Sequence, residues 1–232
     1  QKSESTEELS GISIIIPVHG EELSIKLCLE SILRNRTSII EKVVVVLDRC
    51  ERRTKEIPYL FKQKFAENSV EFEVICLPEI IHGKVQALLE GGKSVTTSTV
   101  LLLDSDIILE PTAIETLLKF HNSEGKPFSS CLIFPYQKVE EVHSLTRQII
   151  CTNRLYRQSV VQSVKNLHNV ANFPGGVQIV EFEAYKKLLV DGFLEDLTAT
   201  YEVLANNGRV AVLLQVLAYE MERETKTNHD LA

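Results

Sequence analysis

A chain of 232 residues, 44% hydrophobic and 25% charged, has the size and composition of one large or two small globular domains and can bury a substantial core. Its net charge of −7 excludes broad attraction to nucleic-acid phosphates, which needs clustered Lys and Arg, so no nucleic-acid partner is expected. The five cysteines, Cys28, Cys50, Cys76, Cys131 and Cys151, are scattered and odd in number, with no CxxC pair. That pattern excludes a zinc framework or a disulfide scaffold and fits a reducing, cytoplasmic setting.

Residues 1–10 read as a polar, acidic leader and residues 11–232 as a single domain, with residues 11–110 and 111–232 as two functional halves. Apolar runs at residues 12–16, 43–47, 70–77, 100–103 and 130–134 are continuous rather than alternating. Strands buried on both faces of a parallel sheet have this form. Amphipathic stretches lie between them: Ile25, Cys28, Leu29, Ile32 and Leu33 follow the spacing of one helix face, and Ile114, Leu117, Leu118 and His121 repeat it after Pro111. Alternating strands and helices predict an α/β fold with a mostly parallel central sheet flanked by helices, whose ligands sit beyond the carboxyl ends of the strands.

From about residue 140 the pattern changes. Val142, Leu145, Ile149, Tyr156 and Val160 mark a long helix, followed by the turn-rich residues 172–176. Leu197, Tyr201, Leu204 and Ala205 form a further helix face stopped by Gly208, with a last strand expected at residues 209–214. No apolar run reaches the roughly 20 residues of a membrane span, because residues 210–219 are short and interrupted by Gln215.

Polar residues just after strands are the candidates for chemistry. Asp104-Ser105-Asp106 closes an apolar run with two carboxylates, the hard-oxygen donor set that suits Mn²⁺ or Mg²⁺ beside substrate phosphates. On an extended backbone the two side chains oppose each other, so the chain must turn at Ser105 to bring both to one ligand. Asp48 ends another run and can accept hydrogen bonds from a nucleoside or cap the following helix. His82-Gly83-Lys84 opens a helix, where exposed backbone N–H groups and an ammonium both suit a phosphate. Asp196, in Gly192-Phe193-Leu194-Glu195-Asp196, sits at a helix start, either as a general base or as a partner of the helix dipole. The basic cluster Arg49, Arg52, Arg53 and Lys55 reads as a solvated loop or helix face. GxSxG, GxxxxGK[ST] and HxxxH motifs are missing, which removes hydrolase triads, P-loop NTPases and helical zinc sites.

Taken in order, these pieces resemble the family-two inverting glycosyltransferases of GT-A fold over about residues 12–227. Ile14-Ile15-Ile16-Pro17-Val18-His19-Gly20-Glu21 is similar to the family's opening strand, proline and acidic loop. Leu47-Asp48-Arg49-Cys50-Glu51 is similar to its nucleotide-binding Asp segment, and Gly83-Lys84-Val85-Gln86-Ala87-Leu88 to the GKxxAL segment of polysaccharide-synthase-like members. Asp104-Ser105-Asp106 matches the DxD motif, Pro174-Gly175-Gly176 resembles the acceptor-side Gly-Gly segment, and residues 192–198 resemble the segment supplying the catalytic Asp.

The resemblance implies that Pro17, Glu21, Asp48, Lys84, Asp104 and Ser105 hold a nucleotide-diphosphate sugar, with a uridine nucleotide as the family expectation. Asp106, with Asp104, would hold Mn²⁺ or Mg²⁺, Gly175, Gly176 and Glu195 would line the acceptor and donor pocket, and Asp196 would be the base. A glycan, a lipid-linked sugar or another hydroxyl compound would be the acceptor, at or away from the cytoplasmic face of a membrane. The resemblance leaves room for peripheral membrane association or for membrane segments in a longer protein. The chain has no tryptophan and therefore no QxxRW motif, and Val180-Glu181-Phe182-Glu183 follows the Gly-Gly segment without an arginine. The first departure argues against processive polymer synthesis, and the second implies unusual acceptor or sugar recognition. A sugar-nucleotide pyrophosphorylase would need a Gly-rich loop where Pro17-Val18-His19-Gly20 stands, and an inactive relative would bind nucleotide without transfer.

Overall fold

The apolar runs become strands because both faces of the sheet are covered. The computed structural model describes residues 9–19, 24–125, 128–136, 149, 152, 153, 156, 175–189, 195–206 and 210–221. Through them the chain forms β1 (Ile12–His19), α1 (Ile25–Leu33), β2 (Ile40–Asp48), α2 (Arg52–Tyr59), α3 (Lys62–Glu67), β3 (Glu71–Cys76), α4 (Lys84–Gly92), β4 (Thr99–Leu103) and β5 (Ile107–Leu109). There follow α5 (Ala113–Glu124), β6 (Phe128–Pro135), β7 (Val177–Glu181), α6 (Phe182–Lys186), α7 (Glu195–Ala205) and β8 (Ala211–Glu220).

The strands form one sheet in the order β3-β2-β1-β4-β7-β6-β8-β5. β3, β2, β1 and β4 are parallel neighbours, as are β6 and β8. β7 runs against both β4 and β6, and β5 against β8. Six of the described strands therefore point the same way and gather their carboxyl ends on one edge of the sheet.

Side chains alternate across a strand, so a run of apolar residues feeds two cores at once. Ile12, Ile14, Ile16 and Val18 of β1, with Val43, Val45 and Leu47 of β2, pack under α1 and α5 through Ile25, Leu29, Ile114 and Leu118. Ile15, Val44 and Val46 face the other way, toward Leu88 of α4, Phe182 of α6 and Val203 of α7. Two of the expected helix faces are realised, since Ile25, Cys28, Leu29 and Ile32 are buried, and so are Ile114, Leu117, Leu118 and His121. The face expected at Leu197, Tyr201, Leu204 and Ala205 is not, because Tyr201 and Ala205 are exposed and α7 turns Ala199 and Val203 to the core instead. Gly125 ends α5 in the left-handed conformation at φ 56°, with its N–H donating to the His121 carbonyl.

Four strands differ from the sequence expectation. β3 is an edge strand, half exposed rather than buried on both faces, and its Glu71 and Glu73 reach back to Lys42 of β2 at 2.7 and 2.8 Å. β8 continues to Glu220, beyond the expected residue 214, because it is wedged between β6 and β5 and both pair with its distal half. β5 and β7 were not expected, being short segments that follow turns. The long helix expected from residue 140 lies largely outside the described residues, although Ile149 and Tyr156 are helical there.

Candidate active site

The carboxyl ends of β1, β2 and β4 bring Pro17, His19, Asp48 and residues 104–106 to one edge of the sheet. His19 and Asp48 end their strands as direct neighbours in the parallel register. The Asp48 side chain is only 3% exposed. Its Oδ2 accepts from the Gly83 backbone N–H at 2.8 Å and pairs with His19 Nδ1 at 3.0 Å, while Oδ1 faces Arg49 Nε at 3.4 Å. Burial, the largest influence, opposes ionisation of this carboxyl, but the Gly83 N–H, then His19 and Arg49, together hold it below its ordinary value. Asp48 caps no residue of α2, whose N-cap is Glu51. It anchors instead the residue that opens α4.

That residue, Gly83, sits at φ 97°, a conformation that glycine adopts without strain, and the helix begins at Lys84. From there Lys84 Nζ reaches Asp104 Oδ1 at 2.8 Å, both side chains being about one-third exposed, 35% and 33%. The chain does turn through Ser105, as two convergent carboxylates require: the Ile107 N–H donates to the Asp104 carbonyl at 3.2 Å. The Ser24 hydroxyl donates to the Ser105 carbonyl at 3.0 Å, and the Met221 N–H to the Asp106 carbonyl at 2.7 Å. The turn is thus clamped by α1 on one side and by the end of β8 on the other.

The glycine segment arrives at the same place. The Asp104 N–H donates to the Gly176 carbonyl at 3.0 Å, and a side chain at Gly176 would crowd Ile107 and Ile133. Pro17, Lys84, Leu88, Asp104, Gly175, Gln178 and Tyr185 line a cleft. Two cleft residues, Gln178 of β7 and Tyr185 of α6, were missed from the sequence. Gln178 carried a signal, as a polar residue inside the apolar run Val177-Gln178-Ile179-Val180, and it is buried here. Tyr185 belongs to no motif and carried none.

Cys50, beside Asp48, donates its thiol to the Val18 carbonyl at 3.4 Å, and burial pushes it up to about 11, so it packs as an inert thiol. Glu21 lies outside the described residues, as do Gly192, Phe193 and Leu194. Asp196 and Glu195 start α7, but their side chains are outside the described set. Among the described residues no three His, Cys, Asp or Glu side chains form a metal cage, and no helix is long and apolar enough to cross a membrane. Two carboxylates on one turn still fit a hard divalent cation, which commonly takes one or two from the protein and completes its shell with phosphate and water.

A mostly parallel sheet flanked by helices, with a two-carboxylate turn and a glycine-opened helix at its strand ends, has the architecture of the GT-A glycosyltransferase fold. The profile of glycosyl transferase family 2 matches residues 13–189, well over half of the chain, and the chain belongs to that family.

Solved structures share the fold. The mannosyltransferase PcManGT from Pyrobaculum calidifontis, in complex with GDP-Man and Mn²⁺, superposes with a TM-score of 0.66 at 16% identity, covering 96% of this chain and 59% of that one. S. aureus TarS gives a TM-score of 0.62 at 17% identity, covering 91% and 37%. Glucosyl-3-phosphoglycerate synthase from Mycobacterium tuberculosis, in complex with Mn²⁺, UDP and phosphoglyceric acid, gives 0.61 at 15%, covering 92% and 72%. The chain thus spans less than two-thirds of each of the first two. Among curated proteins none matches the sequence.

Proposed function

We propose that this protein is an inverting glycosyltransferase that moves a sugar from a nucleotide-diphosphate donor, with a uridine nucleotide as first candidate, to an acceptor hydroxyl. The contact that carries the proposal is Lys84 Nζ to Asp104 Oδ1, because it places the start of α4 against the acidic turn. A phosphate chain bound there meets the ammonium, the N–H groups at the helix start and the carboxylate turn together. Pro17 and Asp48 border the nucleoside end with Glu21, and Asp48 keeps acceptor capacity at Oδ1.

Asp104 and Ser105 contact the ribose or phosphate, and Asp106, with Asp104, holds a divalent cation, Mn²⁺ or Mg²⁺. When bound, that cation neutralises charge building on the departing diphosphate. Mn²⁺ accompanies a nucleotide ligand in two of the solved relatives, which supports the choice. Gly175 and Gly176 shape the pocket beside Glu195. Asp196, in the first turn of α7, accepts the proton of the acceptor hydroxyl as its oxygen attacks the anomeric carbon. Attack from the face opposite the diphosphate inverts that centre.

The acceptor is a glycan, a lipid-linked sugar or another hydroxyl compound, in a single transfer at or near the cytoplasmic face of a membrane. Asp196→Asn tests the assignment. The variant should keep metal-dependent nucleotide binding and lose nearly all transfer in a radiolabelled-sugar assay; undiminished transfer would remove Asp196 as the base.

A further inference from the structure

The basic run after β2 folds into a surface with an apolar apex. Between Arg49 and Lys64 the sequence carries six Arg and Lys against two Glu, a surplus of four positive charges in a chain whose net charge is −7. Thr54, Pro58, Phe61 and Phe65 are buried and hold α2 and α3 to the body, with Phe65 stacked on Phe72 of β3 at 4.7 Å between ring centroids. Arg52, Arg53, Lys55, Lys62 and Lys64 are all exposed.

At the junction of the two helices the chain makes a tight turn, the Leu60 N–H donating to the Ile57 carbonyl and the Phe61 N–H to the Pro58 carbonyl. Leu60 projects from that turn, 72% exposed, while Tyr59 beside it, 53% exposed, turns its hydroxyl to Cys76 at the end of β3. Glu56, one of the two acids, is engaged by Arg52 at 2.9 Å. An exposed leucine thus stands at a turn with exposed cations on the helix before it and the helix after it, on a support held by buried side chains. A soluble polyanion would use the cations and leave Leu60 in water. An anionic bilayer uses both, since the apolar tip enters the boundary between headgroups and acyl chains while Lys and Arg meet the headgroups.

We propose that the α2–α3 face docks this protein onto an anionic lipid surface, with Leu60 inserted and Arg53, Lys55 and Lys62 on the headgroups. Because α2 begins four residues after Asp48, docking sets the nucleotide end of the cleft beside the membrane.

The test is sedimentation of the full chain with vesicles of phosphatidylcholine, alone or with added phosphatidylserine, at low and high salt. Binding should require phosphatidylserine and weaken with salt. Removing each basic contact should cost about fivefold in affinity, so a triple Arg53→Glu, Lys55→Glu, Lys62→Glu variant should lose about a hundredfold or more. Leu60→Ser should lose several-fold at unchanged charge. Equal binding to neutral vesicles, wild-type binding by the variants, or binding to heparin with none to vesicles would overturn the proposal. The substituted side chains are exposed, so each variant should retain native circular dichroism and metal-dependent nucleotide binding. That control separates failure of this surface from failure of the catalytic assignment.

Discussion

Asp48→Ala removes the carboxylate that joins three parts of the site. In the native protein Asp48 Oδ2 takes the Gly83 N–H at 2.8 Å and His19 Nδ1 at 3.0 Å, in a side chain only 3% exposed. A hydrogen bond to a charged group contributes about 1.5–3 kcal/mol, and a donor left without a partner adds to the cost. Water can replace the carboxylate at exposed His19 but less readily at partly buried Gly83. The expected loss is therefore about 2–4 kcal/mol, short of two full charged bonds. Asp48→Asn, which keeps an oxygen for Gly83 but no charge, should lose about half as much.

Urea unfolding at neutral pH measures both variants, and hydrogen exchange at the Gly83 amide reports the local effect. The pH dependence has a definite sign. The folded-state pKa of Asp48 is depressed below its ordinary 3.8, so its stabilisation is complete above that value and fades as pH falls through the folded one. The wild-type advantage over Asp48→Asn should persist down to about pH 4 and shrink below it. An Asp48→Ala protein with unchanged unfolding midpoint and unchanged Gly83 exchange would refute the anchoring role.

Gly92→Ala should destabilise by about 1–3 kcal/mol in the same assay, because the new methyl would overlap the ring of Phe182, which is only 3% exposed and cannot swing aside. His121 is buried with Nδ1 2.9 Å from the hydroxyl of Ser129; burial pulls its pKa below 6.5, against the opposing pull of Glu181. Its share of stability is therefore full above 6.5 and declines as pH falls from there toward the folded value, and His121→Gln should flatten that part of the stability profile. Lys84→Met should change stability by less than about 1 kcal/mol, since its ion pair with Asp104 is partly solvated. It should weaken nucleotide-diphosphate binding in calorimetry by about tenfold or more, through loss of a charged phosphate contact.

Most of residues 11–110 was legible because most of their strands are buried on both faces. Residues 12–16, 43–47 and 100–103 announce themselves as apolar runs, and the last two end directly at Asp48 and Asp104, which the fold then brings to one edge. The helix start at Lys84 and the turn through Ser105 followed from local chemistry alone. Contacts across the sheet were not legible: nothing in the spacing of Asp48 and Gly83, 35 residues apart, says that one anchors the other. Likewise β7 enters antiparallel between β4 and β6, and only that placement brings Gln178 and, through α6, Tyr185 to the cleft. The half-exposed character of β3 was legible by contrast, since Glu71 and Glu73 alternate with Val70, Phe72 and Val74, and treating residues 70–77 as a continuous apolar run passed over it.

The central claim is that a nucleoside diphosphate binds at the strand ends through the Asp104-Ser105-Asp106 turn and a divalent cation. Calorimetric titration of the wild-type chain and of Asp106→Ala with UDP and with GDP, in Mn²⁺ and then in EDTA, tests it most directly. The account predicts that wild type binds one of the two nucleotides in Mn²⁺, and that both EDTA and Asp106→Ala abolish or sharply weaken that binding. Absence of binding to either nucleotide, or binding indifferent to EDTA and to Asp106→Ala, would contradict it.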